Sequence, residues 1–348
     1  MSTESVDDVI MRQYKLVKRL GKGSYGVVWR GQNRETGETV AIKKCFDCFQ
    51  NATDSQRIYR EIRILQKLNK HENIIEIYDV VPALSGKDVY VISELMEADL
   101  GSVIRSGILE PVHVQFITYQ LLCALKYLHS AHVVHRDIKP ANILLNSDSR
   151  MKLCDFGLAR TIHSERINFL TGYVFTRWYR GPEILMNADK YSFSVDVWAV
   201  GCIAAEMAQG KVLFPGNSTV NQLERIIEVT GWPDADIALP PNISRNIEVK
   251  PLCELLPKAS LDALDLVRQL LQFDPDKRIS AANAIDHPFL AGFRTGDEPV
   301  CNKIMRLGVD DNVKLKPDEY QTFLYQELDR KRQEVDAKYH QALVHISS

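Results

Sequence analysis

No apolar run in this chain approaches the ~20 residues of a membrane-spanning helix, and there is no internal repeat or low-complexity stretch. The opening residues MSTES contain neither a signal-peptide apolar core nor the glycine that myristoylation needs. An excess of one charge is missing too. Lys and Arg total 43 against 45 Asp and Glu, for a net charge of −2. That balance speaks against nucleic acid or an anionic membrane surface as the main partner. Cysteines number seven, but Cys45 and Cys48 have no second Cys or His pair that would complete a zinc site. Reduced thiols and a cytoplasmic and/or nuclear location are expected. What is present is ordinary globular composition: 348 residues, 25% charged and 45% hydrophobic, enough for a two-lobed unit.

Along the chain, strand-like segments precede helical ones. YKLVKRL, GVVWRG and ETVAIKKC carry β-branched residues and are separated by the turn signals GKGS and NRETGE, which predicts an antiparallel sheet. Asp54 can cap a helix running to Asn69, with Ile58, Ile62, Leu65 and Leu68 at helical spacing and Glu61 bordering that stripe. IIEIYDVV and DVYVIS add two strands, and from about Pro111 helical patterns dominate. A linker near Glu94 to Asp99 is expected to join a β-rich small lobe to a helical large lobe, with a ligand in the cleft between them. The charged stretch YQELDRKRQEVDAKYHQAL reads as a surface helix or frayed tail.

Five short motifs carry the chemistry, in order: GKGSYGVV over Gly21 to Val28, VAIK ending at Lys43, HRDIKPAN over His135 to Asn142, DFG over Asp155 to Gly157, and GPE over Gly181 to Glu183. Singly each is weak. A glycine-rich hairpin is more often only a turn, and a loop aspartate is more often a solvated acid. Together they describe phosphoryl transfer from ATP, in which the protein mainly positions groups and neutralises charge. Gly21, Gly23 and Gly26 remove side chains where a hairpin must lie over phosphates, and Val28 covers the adenine. Lys43, alternating with Ala41, is expected to hold the α and β phosphates and to pair with Glu61. Its neighbour Lys44 takes the role of exposed lysine, since successive strand side chains face opposite ways. Asp137 is the candidate base for the substrate hydroxyl, and Lys139 can reach the transferred phosphate. Asn142 and Asp155 supply hard oxygens to Mg²⁺, which needs few protein ligands. His135 reads as a packed structural residue.

These motifs make up the protein-kinase signature, and the chain resembles a Ser/Thr protein kinase of the mitogen-activated class. FLTGYVFTRWYRGPE resembles that family's activation loop, SVDVWAVGCIAAEM its large-lobe helix, LFPGNSTVNQLERIIEVTGWP its extra insert, and DPDKRISAANAIDHPFL the end of its core. FDCFQNATDSQRIYREI and LGVDDNVKLKPDEY look closest to the atypical extracellular-signal-regulated branch, although the loop reads TGY where that branch usually carries TEY. The resemblance implies an α+β bilobal kinase fold: an extension over 1–13, a small lobe over 14–96, a large lobe over 97–290, and a C-terminal extension over 291–348 packing on the core. It further implies a proline-directed enzyme using ATP and Mg²⁺, active as a monomer on Ser/Thr-Pro sites. Thr171 and Tyr173 would be the paired phosphorylation sites, modified by the enzyme itself or by an upstream kinase and reversed by a phosphatase. By match, Ser93 faces the back of the adenine pocket, Glu94 and Met96 lie at the hinge, and Cys154 sits at the pocket floor. Some kinases of the class carry a cysteine there that resorcylic-lactone enones trap. Asp196 would tie down the catalytic loop, and Arg278 would be the buried partner of Glu183.

A loop phosphate adds about −1.5 to −2 charges and seeks arginine forks. Arg60, Arg136 and Arg160 are candidates for phosphorylated Thr171, and Arg177 and Arg180 for Tyr173. Asp297 and Glu298 sit where the family carries an acidic patch for basic docking motifs, with His113 and Phe116 placed to line an adjoining groove. Neither nucleic acid nor a membrane is an expected partner. Two other readings stay open: a cyclin-dependent-type kinase, and a pseudokinase scaffold, against which Lys43, Glu61, Asp137, Asn142 and Asp155 are all intact.

Overall fold

The computed structural model describes residues 5–23, 26–68, 70–162, 177–186, 192–234 and 237–346, with side chains up to residue 334. It has the bilobal protein-kinase fold, an antiparallel-sheet lobe and a helical lobe. The chain divides into two compact units, one built from residues 1–66, 76–95 and 310–348 and the other from 67–75 and 96–309.

The sheet unit begins with α1 (Asp8–Gln13), β1 (Tyr14–Gly23), β2 (Gly26–Asn33) and β3 (Thr39–Cys45), then α2 (Ala52–Leu68), β4 (Ile77–Pro82) and β5 (Val89–Glu94). Its five strands pair antiparallel in the order β1-β2-β3-β5-β4. One face packs Val40, Ile42, Tyr90 and Ile92 against Ile10 of α1 and Tyr14. Each of these is nearly fully buried and stabilises the unit by about 1.5–3 kcal/mol relative to exposure. On α2, Ile58, Ile62, Leu65 and Leu68 are all buried, as their spacing predicts. The cap differs from the expectation: Asn51, and not Asp54, accepts the backbone amides of Thr53 and Asp54, while the Asp54 carboxylate takes the Asn51 amide. Both residue types suit that role, and the one preceding the first turn has the geometry for it.

Lys44 corrects a second expectation. Alternation does place it opposite Lys43, but that face is covered, and Lys44 is only 4% exposed. Its ammonium donates to the Ser5 carbonyl at 2.8 Å, lies 3.4 Å from Asp88 and 3.8 Å from Asp7, and sits over the Tyr90 ring. The residues before α1 are thereby pinned to the sheet.

The helical unit follows with β6 (Ala98–Asp99), α3 (Leu100–Ser106), α4 (Pro111–Ser130), β7 (Val133–Val134), β8 (Ile143–Leu145), β9 (Met151–Leu153) and β10 (Arg160–Thr161). The helices α5 (Pro182–Leu185), α6 (Ser194–Gln209), α7 (Thr219–Thr230), α8 (Leu252–Leu255), α9 (Leu261–Leu270) and α10 (Ala281–Ile285) complete it. Asp99, Ser218, Ser260 and Ser280 each cap a helix by accepting the amide three residues on. Apart from Asp196 and Glu206, the sequence VDVWAVGCIAAEM is apolar all round, so α6 becomes the central helix, buried from Val195 to Met207. Trp198, Cys202 and Ala205 pack there against Phe214, Leu223, Ile226 and Leu264.

Finally α11 (Pro317–Ile346) returns to the sheet unit. Tyr320, Leu324 and Leu328 form an i, i+4, i+8 stripe that is buried. The stretch read as a surface helix or frayed tail continues this helix, and its first aliphatic residue, Leu328, is docked because it shares one face with Tyr320 and Leu324.

Candidate active site

On the sheet unit, the strand register groups one set of candidate residues. Val28 lies opposite Lys43 and Lys43 opposite Val91, while Ala41 lies opposite Ser93. Directly paired residues share a face, as do residues two apart. Val28, Ala41, Lys43 and Ser93 therefore line one half-buried face, the reverse of the one covered by α1. Lys43 Nζ is 3.0 Å from Glu61 Oε1 of α2. At the hairpin tip Gly23 pairs with Gly26. A Cβ at Gly26 would lie 2.1 Å from the Lys44 carbonyl oxygen, so this strand crossing admits only glycine; Gly21 and Gly23 face open space. Glu94 ends β5, with its carboxylate accepting the Glu76 amide, and Ser93 Oγ donates to the Glu94 carbonyl. Met96, buried, begins the helical unit.

A second set lies in the helical unit, in the loop after β7. Arg136 (φ 69°) and Asp155 (φ 65°) occupy the left-handed region that side chains avoid. Such conformations persist only where the surroundings over-determine them, and here Asp196 does so for the first. Its buried carboxylate accepts the His135 and Arg136 amides at 2.8 Å each, and lies 3.1 Å from His129 Nε2. His135 is fully buried, its Nδ1 accepting the Asp137 amide and its Nε2 facing the Cys154 carbonyl, with the Phe156 ring edge-on at 4.8 Å. It is a splint between the loop and the DFG segment, with both ring nitrogens occupied.

Asp137 emerges from this splint. Its Oδ2 accepts Lys139 Nζ at 2.6 Å and Asn142 Nδ2 at 3.1 Å, and its carbonyl takes Asn142 Nδ2 at 2.8 Å. With the Asn142 amide nitrogen committed to Asp137, the amide oxygen is the end with ligand capacity. Asn142 and Asp155 are joined through Cys154, whose amide and thiol both donate to the Asn142 carbonyl. Hard oxygen donors on two adjacent segments fit Mg²⁺.

Thr171 and Tyr173 lie outside the described residues. Of their candidate partners, Arg136 Nη1 donates to the Leu158 carbonyl and Arg160 is buried on β10, paired with Val134 of β7. The β7–β10 ribbon thus places Arg160 opposite Val134, two residues before Arg136 in the chain. Arg177 Nη1 donates to the Asn217 carbonyl, and Arg180 closes the following turn through its amide. Arg60 departs from the expectation. Its guanidinium grips Asp311 with Nη2–Oδ1 at 2.8 Å and two Nε contacts at 3.1 and 3.2 Å.

Glu298 must also be corrected. Its carboxylate is 5% exposed, and Oε1 accepts the Tyr119 hydroxyl and the Thr295 and Gly296 amides, with Lys126 3.6 Å from Oε2. It anchors its own turn and presents no free charge; Asp297 beside it is exposed. His113 Nδ1 takes the Glu110 amide, and the Phe116 ring lies tilted against Phe293 with centroids 4.8 Å apart; both residues are half-buried. Burial alone would raise the Glu298 pKa, but the amides of Glu298, Gly296 and Thr295 and the Tyr119 hydroxyl outweigh it and hold it down to about 2. Glu327 is likewise held down to about 2, chiefly by Arg330 and, against burial, by Arg63. A depressed carboxylate pKa contributes stability above the unfolded value and loses it as pH falls through the folded one. Stability should therefore drop between pH 4.5 and about 2, and Glu298→Gln should flatten that part of a Tm–pH curve.

Glu183 and Arg278 are paired at 2.7 and 3.1 Å with both side chains nearly inaccessible, and the guanidinium lies over the Trp198 ring. A Cβ on Gly181 would fall 2.5 Å from Glu183 Oε2. The glycine of GPE thus lies at a close approach to that carboxylate. Because Arg278 fixes that carboxylate, Gly181→Ala should destabilise by about 1–3 kcal/mol, the range for overpacking, read as a lower Tm.

A protein kinase domain model matches residues 14–290. The chain is 49% identical to extracellular signal-regulated kinase 2 of Dictyostelium discoideum, covering 96% of this chain and 95% of that protein. It is 44% identical to mitogen-activated protein kinase 15 of Xenopus laevis over 94% of this chain, and 41% to extracellular signal-regulated kinase 7 of Drosophila melanogaster over 94%. It spans 58% of the length of the Xenopus protein and 38% of the Drosophila one. With the catalytic loop, the DFG segment and the Lys43–Glu61 pair in place, the chain belongs to the mitogen-activated protein kinases, in their atypical extracellular-signal-regulated branch.

Proposed function

We propose that this kinase transfers the ATP γ-phosphate to Ser or Thr followed by Pro, with Asp137 as the base and Mg²⁺ held by Asn142 and Asp155. The observation that carries this reading is Asp137 itself, held by His135 and Asn142 and paired with Lys139 at 2.6 Å. A substrate hydroxyl meeting Asp137 loses its proton there, while Lys139 offsets charge on the phosphoryl oxygens. ATP and Mg²⁺ are the family's cofactors and proteins its substrates. The turn at Arg177–Tyr179 supports the preference for proline. Trp178 Nε1 donates to the Gly216 carbonyl and Gln222 Nε2 to the Trp178 carbonyl, giving a fixed wall for the residue after the acceptor. Peptides with Pro, Ala or Arg after the acceptor should differ in kcat/KM by tenfold or more in favour of Pro; equal values would refute this specificity.

Activation is read as phosphorylation of Thr171 and Tyr173, supplied by the enzyme itself. Arg160 on the β7–β10 ribbon and Arg136 in the loop that follows β7 support a phosphate site there. Dephosphorylated protein incubated with MgATP should gain phosphate at both residues by mass spectrometry. None at any enzyme concentration would leave an upstream kinase, and full activity of a Thr171→Ala, Tyr173→Phe variant would remove the switch. Basic docking motifs are assigned to the surface around Asp297; salt-insensitive peptide binding that survives Asp297→Lys would point elsewhere.

A further inference from the structure

Along α2 a second stripe runs beside the apolar one. Thr53, Gln56, Arg60 and Arg63 recur at three- and four-residue intervals, and every one is bonded to the segment between Asp311 and Glu327. Thr53 Oγ1 accepts Lys314 Nζ at 3.0 Å, Gln56 Nε2 donates to the Asp311 carbonyl at 3.0 Å, Arg60 grips the Asp311 carboxylate, and Arg63 Nη1 meets Glu327 Oε1 at 2.6 Å. Tyr320 packs on Tyr59, the residue before Arg60, with ring centroids 5.6 Å apart. The Arg60 and Asp311 side chains are 2% and 9% exposed, and those of Arg63 and Glu327 7% and 19%. Glu61, which holds Lys43 at 3.0 Å, sits on α2 between these two anchors.

Buried ion pairs add little net stability compared with apolar packing, but forked geometry fixes orientation. Both acids come from a segment more than 240 residues from α2 in sequence, reaching it at two points separated by nearly one turn. Two anchors on one face of a helix prevent rotation about its axis and sliding along it. Either motion would move the Glu61 carboxylate off Lys43.

We propose that Asp311 and Glu327 are positioning residues for phosphoryl transfer, which lock the rotation and register of α2 through Arg60 and Arg63 so that Glu61 stays on Lys43. The inference rests on the reading of Lys43 as the phosphate-holding lysine. A displacement of about 1 Å at a positioned group can cost on the order of a hundredfold in rate, and loss of one of two anchors should cost less.

The test uses the full chain with Asp311→Asn and Glu327→Gln, each made in the wild-type and in a Glu61→Gln background. In the wild-type background each variant should lower kcat about tenfold and leave the peptide KM unchanged. Asp311→Glu should restore part of the loss, and amide hydrogen exchange over residues 52–68 should rise. In the Glu61→Gln background neither variant should lower kcat further. A fall in Tm with unchanged kcat, an equal loss in both backgrounds, or unchanged exchange over α2 would overturn the inference. Wild-type kcat for Glu61→Gln alone would instead overturn the underlying reading of Lys43 and Glu61.

Discussion

Replacing Asp137 with alanine should lower kcat for peptide phosphorylation by about 10²–10⁴, the contribution typical of a positioned general base, while the dissociation constant for MgATP stays within a few-fold of wild type. The separation follows from the loop's construction. The metal donors Asn142 and Asp155 are linked to each other through Cys154, and Asn142 keeps its bond to the residue-137 carbonyl whatever side chain stands there. Lys139 loses its partner, so part of the fall reflects a misplaced cation as well as a missing base. Asp137→Asn separates the two: it keeps an acceptor for Lys139 and Asn142 but cannot take a proton. If the asparagine variant turns over within tenfold of wild type, the base has been wrongly assigned. Single-turnover phosphorylation with saturating ATP, beside calorimetric nucleotide binding, measures both quantities.

The largest effect on stability is expected at Arg278. Its guanidinium holds both Glu183 oxygens and also donates to the carbonyls of Ser194, Gln272 and Phe273. Removing one member of such a pair leaves a buried charge uncompensated, at about 3–5 kcal/mol, a sizeable part of the ~5–15 kcal/mol available to a folded protein. Arg278→Leu orphans a carboxylate and three carbonyls at once, whereas Glu183→Gln leaves the guanidinium its carbonyl partners. Chemical denaturation should therefore rank Arg278→Leu well below Glu183→Gln, with wild type above both. Equal stability of all three would show that the pair is dispensable.

The chemistry was legible in the sequence because it depends on residue types at short spacing. VAIK, HRDIKPAN and DFG each put their groups within a few residues, and the alternation of β3 correctly set Lys43 apart from Lys44. Contacts made over long separations could not be read that way. Alternation assigns a side chain to a face but not what covers that face, so Lys44 reads as exposed although residues 5–10 lie over it. Arg60 reads as a phosphate ligand from its helix, yet its carboxylate partner lies 251 residues on. Glu298 reads as surface charge because an acid beside another acid in a turn usually is; three donors from its own turn and α4 make it internal. One signal was available. Tyr320, Leu324 and Leu328 repeat every four residues up to and into the charged stretch, enough to mark a docked helix face.

The order in which a ribosome delivers this chain gives that last helix a further meaning. The sheet unit receives its strands and α2 early, but Asp311, Tyr320 and Glu327 emerge only after the whole helical unit has been made. At ~5–20 residues per second, the roughly 200 intervening residues impose a wait on the order of ten to forty seconds. Throughout it the arginines of α2 and the seat of α11 stay uncovered, so a nascent chain carries its catalytic lysine well before it carries the residues that complete the surroundings of Glu61.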